Sequence, residues 1–466
     1  MSKNAVCYIT IVICLLTAAC LAKYSGGNGT AEAPYLIATP NDLNAIGSDP
    51  NDWDKHFKMV ADINLSEFNG AQFNIIGDYP SSPFSGTFDG NGHTISNFKH
   101  TSTEMNCVGL FRLVRGPNAS ITNLRLVDPN VDAGWGSVAG YLVGSLVGYL
   151  QEGIINKCSV EGCRVRGAEP LGGMVGQSGG LITDCYAEGT VTGTYFSDDV
   201  GVLLGLNWYG DVANCSSAGF AQGDWDIGGL VGNLSYGTMT DCSSTADVNG
   251  IGAVGGLIGH HYQSTTRNCW STGSVSGNFG LGGFVGENPY GTIEECFSGG
   301  AVSATDYAGG FIGKSTYGHL VNCYSKGSSC ATGDYVGGFA GYCYDTRITH
   351  CYSTGQVSGS QNYTGGFAGY TDITSYTAPF WNCEINSDVN SIGNGSDPNV
   401  IGLPTVEMQR RSTFSDAGWD MVNVWDIGER QTYPFLRTHL PSDINKDDKT
   451  NFLDLAIQAA QWLDEK

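Results

Sequence analysis

The chain has 466 residues, including 68 glycines and 16 cysteines, and its 22 basic and 45 acidic residues give a formal net charge of −23. This length allows several compact domains or one long solenoid. Such an acidic protein repels phosphate backbones, which argues against a nucleic acid partner. The charge balance instead suits solubility and the binding of calcium or of cationic groups.

Residues 1–22 have the layout of a signal peptide. Lys3 supplies a positive start, residues 6–19 are almost wholly apolar, and small residues follow. This apolar core is too short to span a membrane, and no later segment has roughly 18 uninterrupted apolar residues. Cleavage after Ala22 predicts an extracellular or cell-surface protein with no transmembrane span. A loose lipoprotein box leaves a lipid anchor at Cys20 as an alternative.

Residues 23–105 are predicted to form an N-terminal cap and the first coils of a repeat. Thr39 fits a helix N-cap, Pro40 fits the first helical position and Gly47 fits the end of that helix. A helix here is a natural cap, because the edge of a first coil is otherwise open to strand pairing.

Residues 106–385 contain one pattern that returns at a nearly constant spacing. Most copies have a glycine pair, two apolar residues, a third glycine and then a cysteine, and successive cysteines are 27 to 32 residues apart. The cysteines are Cys158, Cys185, Cys215, Cys242, Cys269, Cys296, Cys323, Cys351 and Cys383. Self-similarity at such a period indicates a solenoid, a propeller or an array.

The apolar runs within each copy decide among these architectures. In the copy that begins at Gly282 they are residues 284–285, 293–297 and 301–302, with turn residues between them. Each run is too short for an ordinary helix, and a propeller blade needs roughly 40–50 residues. The predicted fold class is therefore all-β: a parallel β-helix (solenoid) with three short strands per coil, small helical caps and a short helical C-terminal tail.

Because these cysteines occupy the same position, or phase, in each copy of the repeat, they are predicted to form a stack of small buried side chains rather than disulfides. The off-phase cysteines, which lie outside this regular spacing, are the better disulfide candidates, although their spacing does not show which would pair with which. These candidates are Cys107, Cys163, Cys330 and Cys343. The glycines are expected where the coil turns sharply, either for a positive φ or for close backbone approach.

The core Gly228-Gly-Leu-Val-Gly, followed by a short strand and Cys242, resembles the GLUG motif, which occurs in repeated arrays on bacterial surface and secreted proteins. The resemblance extends roughly from Val108 to Cys383. The segment Phe88-Asp-Gly-Asn-Gly-His-Thr-Ile is also similar to exported proteins of planctomycete-type bacteria. The resemblance implies an architecture and an exported location, and it brings no catalytic residues.

Residues 386–440 are predicted to be a C-terminal cap and linker. Residues 386–399 are rich in Asn, Ser, Gly and Asp and fit a loop, and residues 403–411 fit a short helix. A group of apolar residues is then expected to cover the last coil. These are Trp419, Trp425, Ile427, Tyr433, Phe435 and Leu436.

Residues 441–466 contain the segment with metal-ligand spacing. Oxygen-bearing side chains fall at positions 1, 3, 5, 9 and 12 of a loop, and position 7 offers a backbone carbonyl. The residues are Asp443, Asn445, Asp447, Lys449, Asn451 and Asp454. This set suits calcium, and an apolar pattern at helical spacing follows it. The segment resembles one half of a dockerin, which implies a cohesin-like partner; an acidic tail without metal is the alternative.

Outward-facing residues of the repeat are the candidates for a polysaccharide or cell-surface ligand. One set follows the core cysteines: Trp270, Phe297, Tyr324 and Tyr352. Another set recurs 28 residues apart: Asp306, Tyr307, Asp334 and Tyr335. A third set of tyrosines shares another position in the repeat: Tyr209, Tyr236, Tyr290, Tyr317 and Tyr344. Aromatic rings beside carboxylates suit sugar faces, and aromatic stacking that stiffens turns is the alternative.

Three functions remain open. The preferred hypothesis is an exported, non-catalytic and monomeric β-solenoid that binds carbohydrate or a cell surface, with the calcium tail for attachment. A polysaccharide-degrading lyase or hydrolase on the same scaffold is the second. The acidic residues of such an enzyme would be Asp198, Asp199, Asp224 and Asp226, but no Arg or Lys occupies the same position in the repeat. A purely structural spacer is the third.

Overall fold

The structure is a computed structural model and describes residues 23–101, 107–134, 141–194, 196–359 and 362–439. Within these ranges, no helix is long and apolar enough to cross a membrane. The chain winds into a parallel β-solenoid, which confirms the predicted fold class. One sheet takes a single strand from every coil and contains 13 strands.

A complete coil has up to five short strands instead of the predicted three. In one coil they are Asp306–Gly309, Ile312–Thr316, His319–Val321, Tyr324–Ser325 and Ser329–Ala331. We name the stacks to which they belong columns 1 to 5, in this order. The apolar run 293–297 was expected to be one strand, but Glu295 within it has a left-handed φ of 53° and turns the chain. Cys296 stays inward across that corner, so the apolar pattern does not reveal it.

The strands of columns 1 to 3 pair in parallel with their counterparts in the next coil. Column 1 contains Leu171–Gly172, Val200–Gly201, Trp225–Gly228, Asp306–Gly309, Val336–Gly337 and Asn390–Ile392. Column 2 contains Phe111–Val114, Val147–Leu150, Val175–Ser178, Leu204–Trp208, Val231–Ser235, Ile258–Tyr262, Val285–Pro289, Ile312–Thr316 and Ala340–Tyr344. Column 3 contains Tyr35–Ile37, His56–Met59, Thr87–Asp89, Ser120–Thr122, Ile154–Asn156, Leu181–Thr183, Asp211–Ala213, Thr238–Thr240, Thr265–Arg267, Thr292–Glu294, His319–Val321, Arg347–Thr349 and Ser375–Thr377.

The remaining strands complete the coils. Column 4 contains Ile63–Asn64, Thr94–Ser96, Arg125–Val127, Ser243–Ser244, Trp270–Ser271, Phe297–Ser298, Tyr324–Ser325, Tyr352–Ser353, Phe380–Asn382 and Ile401–Leu403. Column 5 contains Lys99–Thr101, Asn130–Asp132, Val302–Ala304, Ser329–Ala331 and Val357–Gly359. Longer strands run through two columns: Ser159–Gly167, Tyr186–Gly193 and Ser216–Gln222 (4 and 5), Asp247–Gly255 and Val275–Gly282 (5 and 1), and Thr364–Asp372 (1 and 2).

The three glycines of each repeat core are required by space rather than by a positive φ. A Cβ on Gly282 would lie 1.9 Å from the carbonyl oxygen of Val285, and one on Gly283 would lie 2.2 Å from the oxygen of Gly310. A Cβ on Gly286 would lie 2.4 Å from backbone of the preceding coil. Only glycine allows the backbones of columns 1 and 2 to approach this closely.

The interior is a set of identical side chains stacked from coil to coil. Phe284, Phe311, Phe339 and Phe367 lie with ring centroids 4.8 to 5.0 Å apart and nearly parallel. The phase cysteines form a second buried stack. The thiol of Cys296 donates to the carbonyl of Glu294 at 3.0 Å and accepts from the backbone N–H of Cys269 at 3.4 Å. A cysteine here therefore satisfies the backbone at a corner as well as filling space.

The prediction of disulfides among the off-phase cysteines is wrong for the structure described. Every cysteine in the described ranges is a free thiol. Cys330 is exposed, whereas Cys107, Cys163 and Cys343 are buried inside the coils, so their side chains do not meet. Burial raises the pKa of the Cys163 and Cys343 thiols to about 12, which keeps them protonated and unreactive.

The N-terminal cap is the predicted helix, α1 (Pro40–Ser48). Thr39 accepts a hydrogen bond from the N–H of Asp42, whose carboxylate in turn accepts from the N–H of Thr39. Pro40 occupies the start of the helix as expected, and a single 3₁₀ turn follows at Pro50–Asp52. Buried apolar residues of α1 close the first coil.

The C-terminal end differs from its prediction in what covers the last coil. Trp381, Ile392 and Val400 pack into the main core and close it. The short helices α2 (Thr405–Met408) and α3 (Arg411–Asp416) belong to a second cluster. The antiparallel pair Trp425–Asp426 and Phe435–Leu436 and a 3₁₀ turn at Arg437–His439 complete this C-terminal cap. The cap packs on the outer side of column 4 and not on the end of the solenoid.

Candidate functional site

The residues after the core cysteines form one continuous stack on the outside of column 4. Ring centroids are 6.0 Å apart for Trp270 and Phe297, 4.9 Å for Phe297 and Tyr324, and 5.0 Å for Tyr324 and Tyr352. All of these rings point away from the coil interior, as strand alternation predicts.

The C-terminal cap covers half of this stack. Tyr324 is 3% exposed and Tyr352 is fully buried, because Trp419, Trp425 and their neighbours lie over them. The hydroxyl of Tyr352 donates to the carbonyl of Pro434 at 2.5 Å. Assigning Tyr324 and Tyr352 to ligand binding was therefore wrong; they are the docking surface of the cap. Trp270 and Phe297 remain partly exposed beyond its edge.

The second predicted set lies on a different face and forms a ladder of tyrosines. Tyr307 and Tyr335 stack with centroids 4.5 Å apart, and Tyr335 and Tyr363 with centroids 5.0 Å apart. Each has a left-handed φ, between 59° and 66°, at the bend that leads into column 1. A bulky side chain is rarely found in this conformation, which here recurs at the corners of successive coils.

A second ladder stands beside the first at nearly a right angle. Tyr342 and Tyr370 in column 2 stack at 5.5 Å, and the ring planes of Tyr335 and Tyr342 meet at 86°. Together the two ladders enclose an open groove of about 670 Å³. Its lining residues are Tyr307, Lys314, Thr316, Tyr335, Tyr342, Tyr344, Tyr363 and Tyr370. We name it the tyrosine groove; it offers both ring faces and hydroxyl-bearing edges.

The acidic members of the predicted set have a structural contact. The carboxylate of Asp306 accepts the backbone N–H of Asp334 at 2.7 Å, and that of Asp334 accepts the N–H of Asn362 at 2.9 Å. Each carboxylate therefore links its coil to the next one. They border the tyrosine groove but do not line it.

Sequence reasoning missed Tyr342 and Tyr370. They are 28 residues apart, and each follows an inward-facing alanine by two positions. Because residues two apart in a strand share a face, Ala340 and Ala368 would have placed these tyrosines inside, whereas in the structure Tyr342 and Tyr370 face outward. What the spacing cannot show is that they meet the ladder of Tyr335, because that requires knowing the bend between columns 1 and 2.

A third group of aromatic residues lies on the corner between columns 2 and 3. Tyr209 and Tyr236 stack at 4.9 Å, as do Tyr290 and Tyr317 at 4.8 Å. Tyr344 meets Tyr317 edge-on at 5.5 Å rather than stacking on it, and an extra residue in its coil pairs its backbone with Thr316. Of these tyrosines, Tyr344 lines the tyrosine groove, whereas Tyr209, Tyr236, Tyr290 and Tyr317 do not.

Three phenols of the tyrosine groove, those of Tyr307, Tyr335 and Tyr342, have a raised pKa and remain protonated. Burial, the neighbouring tyrosine and the carboxylate of Asp306 raise the pKa of Tyr307, and burial, Tyr370 and Asp372 raise the pKa of Tyr342. Neutral phenols can both donate to and accept from sugar hydroxyls. The groove is therefore a set of apolar ring surfaces with hydrogen-bonding rims.

The predicted aspartate cluster lies on the same face, in earlier coils. Asp199 and Asp226 occupy the bend position that Tyr307 occupies later, and both have a left-handed φ. Burial raises their pKa to about 7 and about 8, helped by Asp198 and Glu169. Nearby His260, 4.0 Å from Asp226, stays neutral because burial lowers its pKa to about 4.

These carboxylates predict a stability that falls as the pH rises. An unfolded aspartate loses its proton near its ordinary pKa, whereas folded Asp199 and Asp226 keep theirs to about pH 7 and 8. Between these limits folding takes up protons, so raising the pH opposes it. Asp226→Asn should be more stable than the parent by about 2 kcal/mol at pH 8.5 and equally stable near pH 4.

Thermal unfolding followed by circular dichroism at both pH values checks this result. The control is Asp388→Asn, which removes an exposed carboxylate from the segment 386–399 near the C-terminal end of the solenoid. A parent protein whose midpoint rises between pH 5 and pH 8 contradicts the prediction.

Metal binding is predicted only at the C-terminal tail. In the described part of the chain, no group of three or more His, Cys, Asp or Glu side chains is placed to hold an ion. The expected calcium ligands lie outside the described residues: Asp443, Asn445, Asp447, Lys449, Asn451 and Asp454.

Comparison with known families identifies the repeat. Residues 223–249 and 332–358 match the GLUG motif. Each matched segment is one coil of the solenoid, so the GLUG motif here is a structural unit of five strands. The predicted resemblance to this motif is confirmed for these coils.

Two curated proteins are similar to part of this chain. Halomucin of Haloquadratum walsbyi is 36% identical over 151 residues, which are 32% of this chain and 2% of that protein. A protein of Evansella cellulosilytica described as a Gly-rich membrane protein is 35% identical over 141 residues, 30% of this chain and 16% of that protein. The chain thus spans only a small part of the length of either relative.

One solved structure is similar over most of the chain. It is described as an immunoglobulin A1 protease from Bacteroides ovatus, and the two chains align over 89% of this one and 96% of that one. The TM-score is 0.32 and the sequence identity is 15%.

Proposed function

We propose that this protein is an exported, non-catalytic GLUG-repeat solenoid that binds carbohydrate through the tyrosine groove. The observation that carries the proposal is the pair of perpendicular tyrosine ladders around one concave groove. Partly exposed rings of this kind present apolar faces to the C–H surfaces of sugars. Their neutral hydroxyls supply the hydrogen bonds that fix a sugar's orientation.

The repeat suits a polymeric ligand. Parallel strands of successive coils lie about 4.8 Å apart, which is close to the length of one sugar residue in an extended chain. Ladders spaced at 4.5 to 5.5 Å therefore present equivalent groups to successive sugars of a polysaccharide. A cell-surface glycan is one source of such a polymer.

Export and attachment complete the proposal. The predicted signal peptide at residues 1–22 and the name of the Gly-rich relative, a membrane protein, support a place outside the cell or at its surface. The predicted calcium loop at 443–454 would attach the solenoid to a partner such as a cohesin-like domain. Both are proposed as parts of one binding protein.

The tyrosine groove predicts a tyrosine-dependent affinity. Ligands are first found by applying the full chain to a glycan array with and without calcium. Tyr335→Ala is then expected to weaken the best oligosaccharide about 10-fold, or about 1.4 kcal/mol, by removing the ring shared by both ladders. Isothermal titration calorimetry measures the change.

Tyr290→Ala is the matched control. Tyr290 is also a stacked tyrosine with a left-handed φ, 62° against 66° for Tyr335, but it does not line the tyrosine groove. Its replacement should leave the affinity unchanged. Equal losses in both variants, or an array without any bound glycan, would exclude the groove. Release of reducing sugar or of unsaturated uronate would favour the degradative enzyme instead.

A further inference from the structure

The ladder of Tyr307 stops abruptly at its N-terminal end. Strand pairing places Leu281 beside Ala308, so the residue at the position before Tyr307 in the stack is Gly280. Gly280 keeps the same left-handed bend, with φ +66°, but has no side chain to continue the ladder. One face of the Tyr307 ring is therefore left without a stacking partner from this position.

A carboxylate borders this end of the ladder. A Cβ on Gly280 would lie 3.2 Å from Oε1 of Glu287, so the Glu287 side chain lies against Gly280. The ammonium of Lys314, the one cation among the groove's lining residues, is 3.7 Å from the same Glu287 oxygen. That ion pair offsets the positive charge of the groove.

The remaining charges around the groove are negative. Asp306, Asp334 and Asp372 stand close enough to the groove phenols to raise the pKa of Tyr335 and Tyr342, after burial and the neighbouring rings. With Glu287 they make four carboxylates against one ammonium. The whole chain carries a net charge of −23, so the surrounding field has the same sign.

This combination of aromatic faces and negative charge discriminates among sugars. A uronate or sulfated polymer meets repulsion along its length, whereas a protonated amino group gains from nearby carboxylates and from the ring face. From this we infer that the tyrosine groove selects polysaccharides of free amino sugars, one of which stacks on the unpartnered face of Tyr307 beside Glu287. The inference rests on the proposed function and specifies its ligand class.

The test compares three oligosaccharides by calorimetry with the full chain at low salt: a glucosamine tetramer, its N-acetylated form and a galacturonate tetramer. The glucosamine tetramer should bind about 5-fold tighter than its N-acetylated form, and this preference should shrink in salt of about 0.5 M. The galacturonate tetramer should not bind.

Glu287→Gln locates the effect. It removes the carboxylate at the ladder end and also frees Lys314, so the preference for the amine should fall to about 2-fold or less. Glu152→Gln, which removes an exposed carboxylate in an early coil, is the control and should keep the preference.

The outcomes separate this inference from the function beneath it. Equal or tighter binding of the N-acetylated tetramer, with dependence on Tyr335, overturns the amino-sugar selectivity and leaves carbohydrate binding in place. Binding of galacturonate also overturns the selectivity. Absence of binding by every glycan on the array overturns the proposed function itself.

Discussion

Gly282→Ala is expected to lower the free energy of unfolding by about 3 kcal/mol. The new Cβ would lie 1.9 Å from the carbonyl oxygen of Val285 and 2.7 Å from the backbone nitrogen of Gly313. Both atoms are backbone atoms held by interstrand hydrogen bonds, so neither can move as a flexible side chain would. Because each coil is fixed by its neighbours, the strain spreads to the next coil as well.

Gly299→Ala, in the same coil, is the matched control. A Cβ there meets the Thr272 side chain at 3.4 Å and the carbonyl oxygen of Ser271 at 3.9 Å, which are ordinary contacts, and the backbone does not have a positive φ. This variant should be as stable as the parent or about 0.5 kcal/mol more stable, because alanine restricts the unfolded chain. Urea unfolding followed by circular dichroism compares the two. Similar midpoints for both variants would falsify the steric role assigned to Gly282.

The architecture was predictable because it repeats. The sequence of a single coil is compatible with several structures, but the recurrence of a glycine pair and a cysteine at the same position in successive repeats indicates one architecture. The repeat therefore predicted the parallel solenoid and the buried position of Cys242 and its counterparts. The cap helix was predictable for a local reason: Thr39, Pro40 and Asp42 satisfy the helix start by themselves.

The strand count was wrong because some corners in this fold are not made by the usual turn residues, although others are, such as Asp241 and Asn268. Glu295 and Tyr307 adopt left-handed backbone conformations that sequence reasoning assigns to glycine or asparagine. Gly282 was expected either for a positive φ or for close backbone approach, and the second reason holds, because two backbones touch there. The hydrogen bonds of the next coil hold these positions, and no local pattern reports them.

The candidate site was half predictable for a related reason. The 28-residue spacing of Tyr307 and Tyr335 predicted an outward ladder, and this ladder forms one wall of the groove. The other wall, Tyr342 and Tyr370, depends on the angle between columns 1 and 2. The burial of Tyr352 depends on the C-terminal cap, whose Pro434 is 82 residues further along the chain and accepts the Tyr352 hydrogen bond. Such distant packing leaves no periodic signal.

Trp425→Ala is expected to release the C-terminal cap from the solenoid, with a loss of about 4 kcal/mol in docking free energy. Trp425 is fully buried, its ring centroid is 4.7 Å from that of Trp419, and its Nε1–H donates to Asn322. Removing it takes away the central ring of the cap cluster. Since the cap lies on the side of column 4, the coils beneath should stay folded.

Two measurements check this expectation. Limited proteolysis should cut the variant within residues 405–436 at least 10-fold faster than the parent, and the uncovered rings of Tyr324 and Tyr352 should bind a fluorescent apolar dye. Trp208→Ala is the control, because Trp208 is 44% exposed and lies outside the cap. Far-ultraviolet circular dichroism should be nearly unchanged in both variants. Global unfolding of Trp425→Ala would instead mean that the cap and the solenoid fold as one cooperative unit. The aromatic stack from Trp270 to Tyr352 would then not be stable without the cap.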